Sequence, residues 1–271
     1  MTDHIAAGPG AKLPEPLDRP WRICATGFCF AMFGLGGLVL RILVFPLLAL
    51  LVRDRLRRAE LARAAVHRGF RIFIELMRLT GVLRYDIVGR AKLNRRGLLI
   101  LANHPTLIDV VFLGSLIEHL TCVVKADLKR NPFTRGPVLG AGYICNDEPE
   151  GAIEDCRRAL DDGGNLVIFP EGTRTAEDGI IRLRRGAAQI AVRCRRDITP
   201  VTISCIPRSL TRWIPWYVVP LRPMHFRIEV RDDIPIAPYT SGDEPEALAA
   251  RRLTQDLNHY FLQETAAHAG A

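Results

Sequence analysis

The stretch from Ile23 to Val52 reads ICATGFCFAMFGLGGLVLRILVFPLLALLV, with Arg41 as its one charged residue. A helix this long without a polar face belongs in a bilayer or a fully enclosed core. Ile23–Leu40 alone approaches the roughly 20 residues that cross a hydrocarbon layer. A secretory signal would have a shorter apolar core and a small-residue cleavage site, and none is evident. Soluble core helices rarely run so long without polar interruption, so a membrane-associated segment is expected. Arg41 and Pro46 divide the run unequally, and Ile42–Val52 is short for a span. One tilted, kinked span and a hairpin dipping into one leaflet both fit. Residues 1–22, rich in Pro, Gly and Ala, are expected to form a flexible tail.

Arginines follow the apolar run immediately: Arg53, Arg55, Arg57, Arg58, Arg63, Arg68 and Arg71. Positive residues beside a membrane segment favour its cytoplasmic side. Leu56, Leu61, Ala65, Phe70, Phe73, Ile74 and Met77 interleave with them at roughly helical spacing. The pattern predicts a basic interfacial helix, which is compatible with a solvated helix covering the rest of the protein. Residues 23–80 are thus read as a membrane-embedded helix or hairpin plus a basic interfacial helix, and 81–271 as a separate domain.

The formal net charge is +8. Charge alone does not choose among nucleic acid, anionic membrane and a polyanionic substrate. A nucleic-acid surface would interleave its basic residues with aromatics, whereas the clusters at Arg53–Arg71 and Arg182–Arg196 are interleaved with aliphatics, so no nucleic-acid partner is expected. The seven cysteines are scattered, without C-x-x-C. They read as reduced, buried thiols of a cytosol-facing protein and not as a disulfide framework or zinc site. The histidines show no paired ligand spacing, H-E-x-x-H is absent, and neither a metal nor a cofactor is expected.

From residue 81 onward, apolar strands alternate with helices. Strands are predicted at Arg84–Val88, Leu98–Ala102, Thr121–Lys125, Asn165–Phe169, Ile198–Ile206 and Phe226–Val230. Helices are predicted at Asp109–Leu120, Pro149–Asp161, Arg185–Arg196 and Glu244–Ala267. The fold class is α/β, with a mainly parallel or mixed sheet flanked by helices. In such sheets reactive groups gather on the loops leaving the strands.

Two motifs occupy such loops. The first is NHPTLID, Asn103–Asp109. Thr106-Leu-Ile-Asp109 matches a helix capping box, in which Asp109 would reach back to the Thr106 amide and His104 would be an ordinary loop residue. The alternative is a dyad: His104 as general base, with Asp109 fixing its tautomer. With no activated Ser or Cys nearby, the nucleophile would be a hydroxyl of the substrate. The second motif is FPEGTRT, Phe169–Thr175. Gly172 permits a tight turn, Glu171 can accept a hydroxyl or orient a base, and the Arg174 fork matches a phosphate. A surface turn with an incidental ion pair is the plainer reading.

Together, N-H-x-x-x-x-D and F-P-E-G-T-R resemble the PlsC-like glycerolipid acyltransferase family (1-acylglycerol-3-phosphate and other lysophospholipid acyltransferases). Lys125, leading into KADLKRNPFTRGPVLGAGYI, and the strand ITPVTI at Ile198–Ile203 are similar to two further blocks of that family. The likeness runs from about Leu83 to Ile206. It implies an α/β domain with an apolar acyl tunnel, an acyl-CoA or acyl-carrier-protein donor, a lysolipid acceptor and contact with membrane lipids. It also implies a bacterial inner-membrane location with the catalytic domain on the cytoplasmic side. It makes His104 the base and Asp109 its partner. Asn103, Lys125, Asn146, Glu171, Gly172, Thr173 and Arg174 become the substrate-binding set. One block departs from the family pattern: in GAGYICND, Asn146 stands where phosphatidic-acid-forming members carry Arg, with Asp147 beside it. A neutral amide holds a phosphate less well than a guanidinium. Either Arg174, Lys125 or Lys129 compensates, or the acceptor is not a simple glycerophosphate. The N-terminal run and the Asn146-Asp147 variant are also similar to a bacterial subgroup found with specialised lipids such as aryl polyenes. A thioesterase using the same pair on water is the rival chemistry. The aromatic stretch Thr211–Pro223 reads equally as an interfacial loop, a lid or a packed turn.

Overall fold

The computed structural model describes residues 15–124, 140, 142–145 and 149–269. Helix α1 (Glu15–Val39) passes through a π-helical turn (Leu40–Val44) into α2 (Phe45–Leu51). The π turn has a local cause. Pro46 has no N–H to give, and its ring crowds the preceding turn. The Phe45 N–H instead reaches back to the Leu40 carbonyl, widening the helix where Pro46 enters. The helical stretch Arg19–Leu51 therefore continues without a break for 33 residues, about 50 Å at 1.5 Å per residue. The most apolar 18-residue window of this stretch is unburied, so it is not a core helix.

Asp54 caps the next helix by accepting from the Leu56 amide at 2.9 Å. That helix, α3 (Arg55–Leu79), runs back along α1 and α2 and forms a hairpin with them. Its buried stripe is Ala62, Val66, Phe73, Ile74 and Met77, and Arg53, Arg55, Arg57, Arg68 and Arg71 stay exposed. The hairpin is closed by aromatic packing, with Phe33 4.7 Å and Phe30 5.8 Å from Phe73.

The remaining elements are β1 (Leu83–Val88), β2 (Leu99–Ala102), α4 (Asp109–Leu116), β3 (Leu120–Val124), β4 (Ile144–Cys145) and α5 (Pro149–Asp161). They are followed by β5 (Asn165–Ile168), α6 (Arg185–Cys194), β6 (Ile198–Ile206), β7 (Met224–Val230) and α7 (Glu246–Ala269). The strands form one mixed sheet in the order β1-β7-β6-β2-β5-β3-β4, antiparallel at the β6–β7 pair. Strand alternation splits the core. Ile100, Ala102, Val167, Val201 and Ile203 face the layer of α1, α3 and α4, while Leu99, Leu101, Leu166, Ile168 and Ile198 face α5, α6 and α7. With both faces covered, β2 and β5 are apolar at nearly every position.

Two expectations are corrected. The chain is helical from Glu15, so the eight residues before Ile23 are not tail. They are held because Trp21 Nε1 donates to the Thr80 carbonyl at 2.9 Å and Arg22 is buried. Helix α4 stops at Leu116 instead of continuing to Leu120. Ile117 turns extended, His119 takes a positive φ of 55°, and the chain must enter β3 with Leu120 opposite Asn165. The two-residue strand β4 has too little sequence to show a period.

Gly114 on α4 meets the ring of Phe70 on α3: a Cβ there would lie 2.4 Å from Phe70 Cδ2. Gly114→Ala should therefore cost about 1–3 kcal/mol through overpacking. Thermal unfolding in detergent should show a Tm several degrees lower, restored in part by adding Phe70→Leu. An unchanged Tm in the single variant would contradict the close packing of the hairpin on the domain.

Candidate active site

Strands β2 and β5 are parallel neighbours, paired from Leu99↔Leu166 to Leu101↔Ile168. Their C-terminal ends therefore emerge side by side, and NHPTLID and FPEGTRT meet although they are far apart in sequence. The contact is specific. The His104 amide donates to Glu171 Oε1 at 2.8 Å, and the Thr175 amide donates to the His104 carbonyl at 2.7 Å. Thr175 Oγ1 donates to the same Glu171 oxygen at 2.9 Å. The second motif thus grips both backbone polar groups of His104. The Phe169 ring lies 4.3 Å from the imidazole at 33°, limiting its rotation.

The side chain of His104 is 17% exposed and that of Asp109 is 0% exposed, with Nδ1 2.8 Å from Asp109 Oδ2. The same Oδ2 accepts from the Thr106 amide at 2.6 Å, and Oδ1 accepts from Thr106 Oγ1 at 2.5 Å. A carboxylate oxygen can only accept, so Nδ1 carries a proton, and in the neutral imidazole Nε2 then keeps its lone pair. Capping box and dyad are therefore one arrangement: Asp109 ties the turn and orients the imidazole through the same oxygen.

Asn103 was expected among the substrate-binding residues, and the structure gives it a structural task. Its Nδ2 donates to the Ile203 carbonyl at 2.8 Å and its Oδ1 accepts the Ile203 amide at 2.7 Å. This side chain continues the β2–β6 ladder one step beyond Ala102, where the backbone has already turned away. Gly172 has φ +67°, and a Cβ there would lie 3.0 Å from Arg184 Cδ, so the turn needs glycine. Thr173 is partly exposed in that turn. Arg174, expected at a phosphate, sends Nη1 to the carbonyls of Leu210 (3.2 Å) and Thr211 (2.7 Å). Desolvation pushes its guanidinium below the ordinary range, with Arg212 adding to the effect and Asp109 opposing it. Arg174 thus tethers the loop after β6 to the site. Lys125 and Asn146 lie outside the described residues.

Thr106, Phe169 and Thr175 were not in the expected set. Their signal was present, since all three lie inside or at the edge of the two motifs. A cavity of about 620 Å³ flanks the turn at Asn103, Pro105 and Thr106, walled by apolar residues such as Ile203, Ile206 and Ile214. Burial pushes the Cys122, Cys156 and Cys205 thiols up to about 12, which makes them poor nucleophiles. Among the described residues six cysteines are free, and Cys24 is exposed where a buried thiol was expected. Among the described residues no group of His, Cys, Asp or Glu could hold a metal ion, and no serine or cysteine side chain hydrogen-bonds His104.

A family model described as Acyltransferase matches residues 84–204. The yeast Saccharomyces cerevisiae 1-acyl-sn-glycerol-3-phosphate acyltransferase is 28% identical over 143 residues, covering 49% of this chain and 47% of its own. A lyso-ornithine lipid O-acyltransferase of Pseudomonas aeruginosa is 29% identical over 133 residues, covering 48% and 51%. The chain spans about half the length of the curated relatives it matches. The crystal structure of the Thermotoga maritima 1-acyl-sn-glycerophosphate acyltransferase PlsC superposes with TM-score 0.65 at 18% identity, covering 91% of this chain and 98% of that one. It has the same fold.

Burial pushes the Glu171 carboxyl above its ordinary value of 4.5, against the His104 amide and the Thr175 hydroxyl, which pull it down. Folded protein then binds this proton more tightly than the unfolded chain. Ionising it costs stability at neutral pH, and that cost disappears as pH falls through the raised value toward 4.5. Glu171→Gln has no such titration. Denaturant unfolding should show the wild type gaining on the Gln variant as pH is lowered through this window; a loss would contradict the burial argument. Asn103→Leu should cost about 2–4 kcal/mol by leaving the buried Ile203 N–H and C=O unpaired. Wild-type stability in that variant would show the clamp to be dispensable.

The Acyltransferase match over residues 84–204, the two motifs joined at the ends of β2 and β5, and the fold shared with PlsC support a PlsC-like family for this chain.

Proposed function

We propose that the chain transfers an acyl group from a thioester of coenzyme A or acyl carrier protein to a hydroxyl of a lysolipid such as 1-acylglycerol-3-phosphate. The observation that carries this reading is the His104–Asp109 pair, with its imidazole fixed in the Nδ1–H tautomer. Nε2 takes the proton of the acceptor hydroxyl as its oxygen bonds to the thioester carbonyl carbon. The tetrahedral intermediate collapses, the C–S bond breaks, and the proton on Nε2 passes to the departing thiolate. Asp109 steadies the imidazolium between the two transfers. The apolar cavity beside Thr106 is a candidate place for an acyl chain, within the volume range of small-molecule sites. A thioesterase would use the same base on water; dependence of thioester turnover on added lysolipid separates the two.

The headgroup of the acceptor is a second question. Arg174 Nη1 is engaged by two loop carbonyls, which reduces its freedom to fork a phosphate. A relative is named for a lyso-ornithine lipid, so an acceptor without a glycerophosphate is the alternative. The outward face of Arg19–Leu51 carries Ile23, Phe28, Leu35, Ile42, Leu43 and Leu50. Because this helix packs lengthwise on α3, we place it along one leaflet as half of a hairpin. The exposed arginines near Asp54 support an orientation with the catalytic domain on the cytoplasmic side of a bacterial inner membrane.

His104→Ala should lower acyl transfer by about 10²–10⁴-fold with the fold intact. Asp109→Asn should reduce turnover and also stability, because Thr106 loses a charged acceptor. Lipid mass spectrometry after incubation with a lysolipid panel and both carrier types reads product and acceptor together. Near-normal product from purified His104→Ala protein would refute the proposed base.

A further inference from the structure

The loop between β6 and β7 has no role in the chemistry above, yet its surface is unusual. Trp213, Trp216, Tyr217, Val218 and Leu221 are each 45–71% exposed. No acidic residue occurs between Ile206 and Met224, while Arg208, Arg212 and Arg222 are exposed beside the apolar group. Aromatic side chains with cations around them suit the boundary between headgroups and acyl chains. The Arg212 guanidinium already lies over the Trp213 ring, 5.2 Å from its centre.

The loop is also bound at both ends of its reach. On one side it packs against α1: the Trp216 ring centre is 5.4 Å from that of Phe30, and the Arg22 guanidinium donates to the Leu221 carbonyl. On the other side it is tied to the catalytic turn. The Leu107 amide donates to the Leu210 carbonyl at 2.8 Å, and Arg174 Nη1 holds the Leu210 and Thr211 carbonyls. The exposed aromatic group is thus continuous with the apolar face of Arg19–Leu51 and separated from His104 by a short chain of direct contacts.

We propose that the loop Thr211–Pro223 is a second membrane-contact element, inserting Trp213, Trp216, Tyr217 and Leu221 into the interface of an anionic bilayer beside α1. It rests on the membrane placement of Arg19–Leu51 proposed above. Its consequence is positional. Because Arg174 and Leu107 hold the base of the loop, inserting its tip sets the mouth of the site at the depth where a lysolipid hydroxyl lies.

The test uses full-length protein carrying Trp21→Phe, which leaves Trp213 and Trp216 as its tryptophans. It is mixed with phosphatidylglycerol-containing vesicles whose acyl chains are brominated near the headgroup. The inference expects the emission to shift to shorter wavelength and to lose at least half its intensity. Protein that sediments with the vesicles while its emission stays unchanged and open to acrylamide would overturn the inference and leave the membrane helix standing. Protein that does not sediment at all would overturn both. The double variant Tyr217→Ser, Leu221→Ser should slow transfer to acceptor embedded in vesicles about five-fold or more. Its rate on a water-soluble short-chain acceptor should match wild type. Equal rates of variant and wild type on both acceptors would also count against insertion.

Discussion

The site depends on the two hydrogen bonds by which the turn after β5 holds the backbone of His104. The amide goes to Glu171 Oε1 and the carbonyl receives the Thr175 amide. A residue just past a strand end has no ladder to satisfy its peptide groups, and an unsatisfied buried peptide group costs as much as a lost hydrogen bond. The second motif supplies those partners from a neighbouring strand. The imidazole then has little left to settle except its tautomer, and Asp109 settles it.

The sheet makes this grip possible. β2 lies between β6 and β5, so the turn after it is flanked by the body of β6 and the end of β5. One provides Ile203 for Asn103, and the other provides Glu171 and Thr175 for His104. At the opposite end, Asn165 accepts the Leu98 amide and donates to the carbonyls of Arg95 and Glu118. Buried side-chain amides thus lock β2 to its neighbours at both ends. The position of the His104 side chain is thus inherited from strand register, as the base proposed above requires.

Much of this was legible in the sequence because the strands are apolar, short and bounded by turn residues. β6 and α5 fall on their expected bounds. His104, Asp109 and Glu171 stood out because their motifs are compact, and the structure brings the three together. Their division of labour was less legible. Asn103 enters the substrate set through the family resemblance and Arg174 through its fork; only tertiary contacts show the Asn103 amide engaged by Ile203 and Arg174 Nη1 by Leu210 and Thr211. The choice between capping box and dyad could not be made from spacing, since a carboxylate oxygen has room for both donors. Helix α4 was drawn too long because its apolar pattern runs on into β3, and periodicity does not separate a buried helix from a following buried strand.

The central claim is that His104 presents an unprotonated Nε2 because Asp109 holds the proton on Nδ1. Nitrogen-15 NMR of histidine-labelled protein tests this directly, with the His104 signals assigned by their loss in His104→Gln. At neutral pH the account predicts a protonated Nδ1 and a pyridine-like Nε2, with that preference lost in Asp109→Asn. A His104 with its proton on Nε2 and a bare Nδ1 would contradict the account.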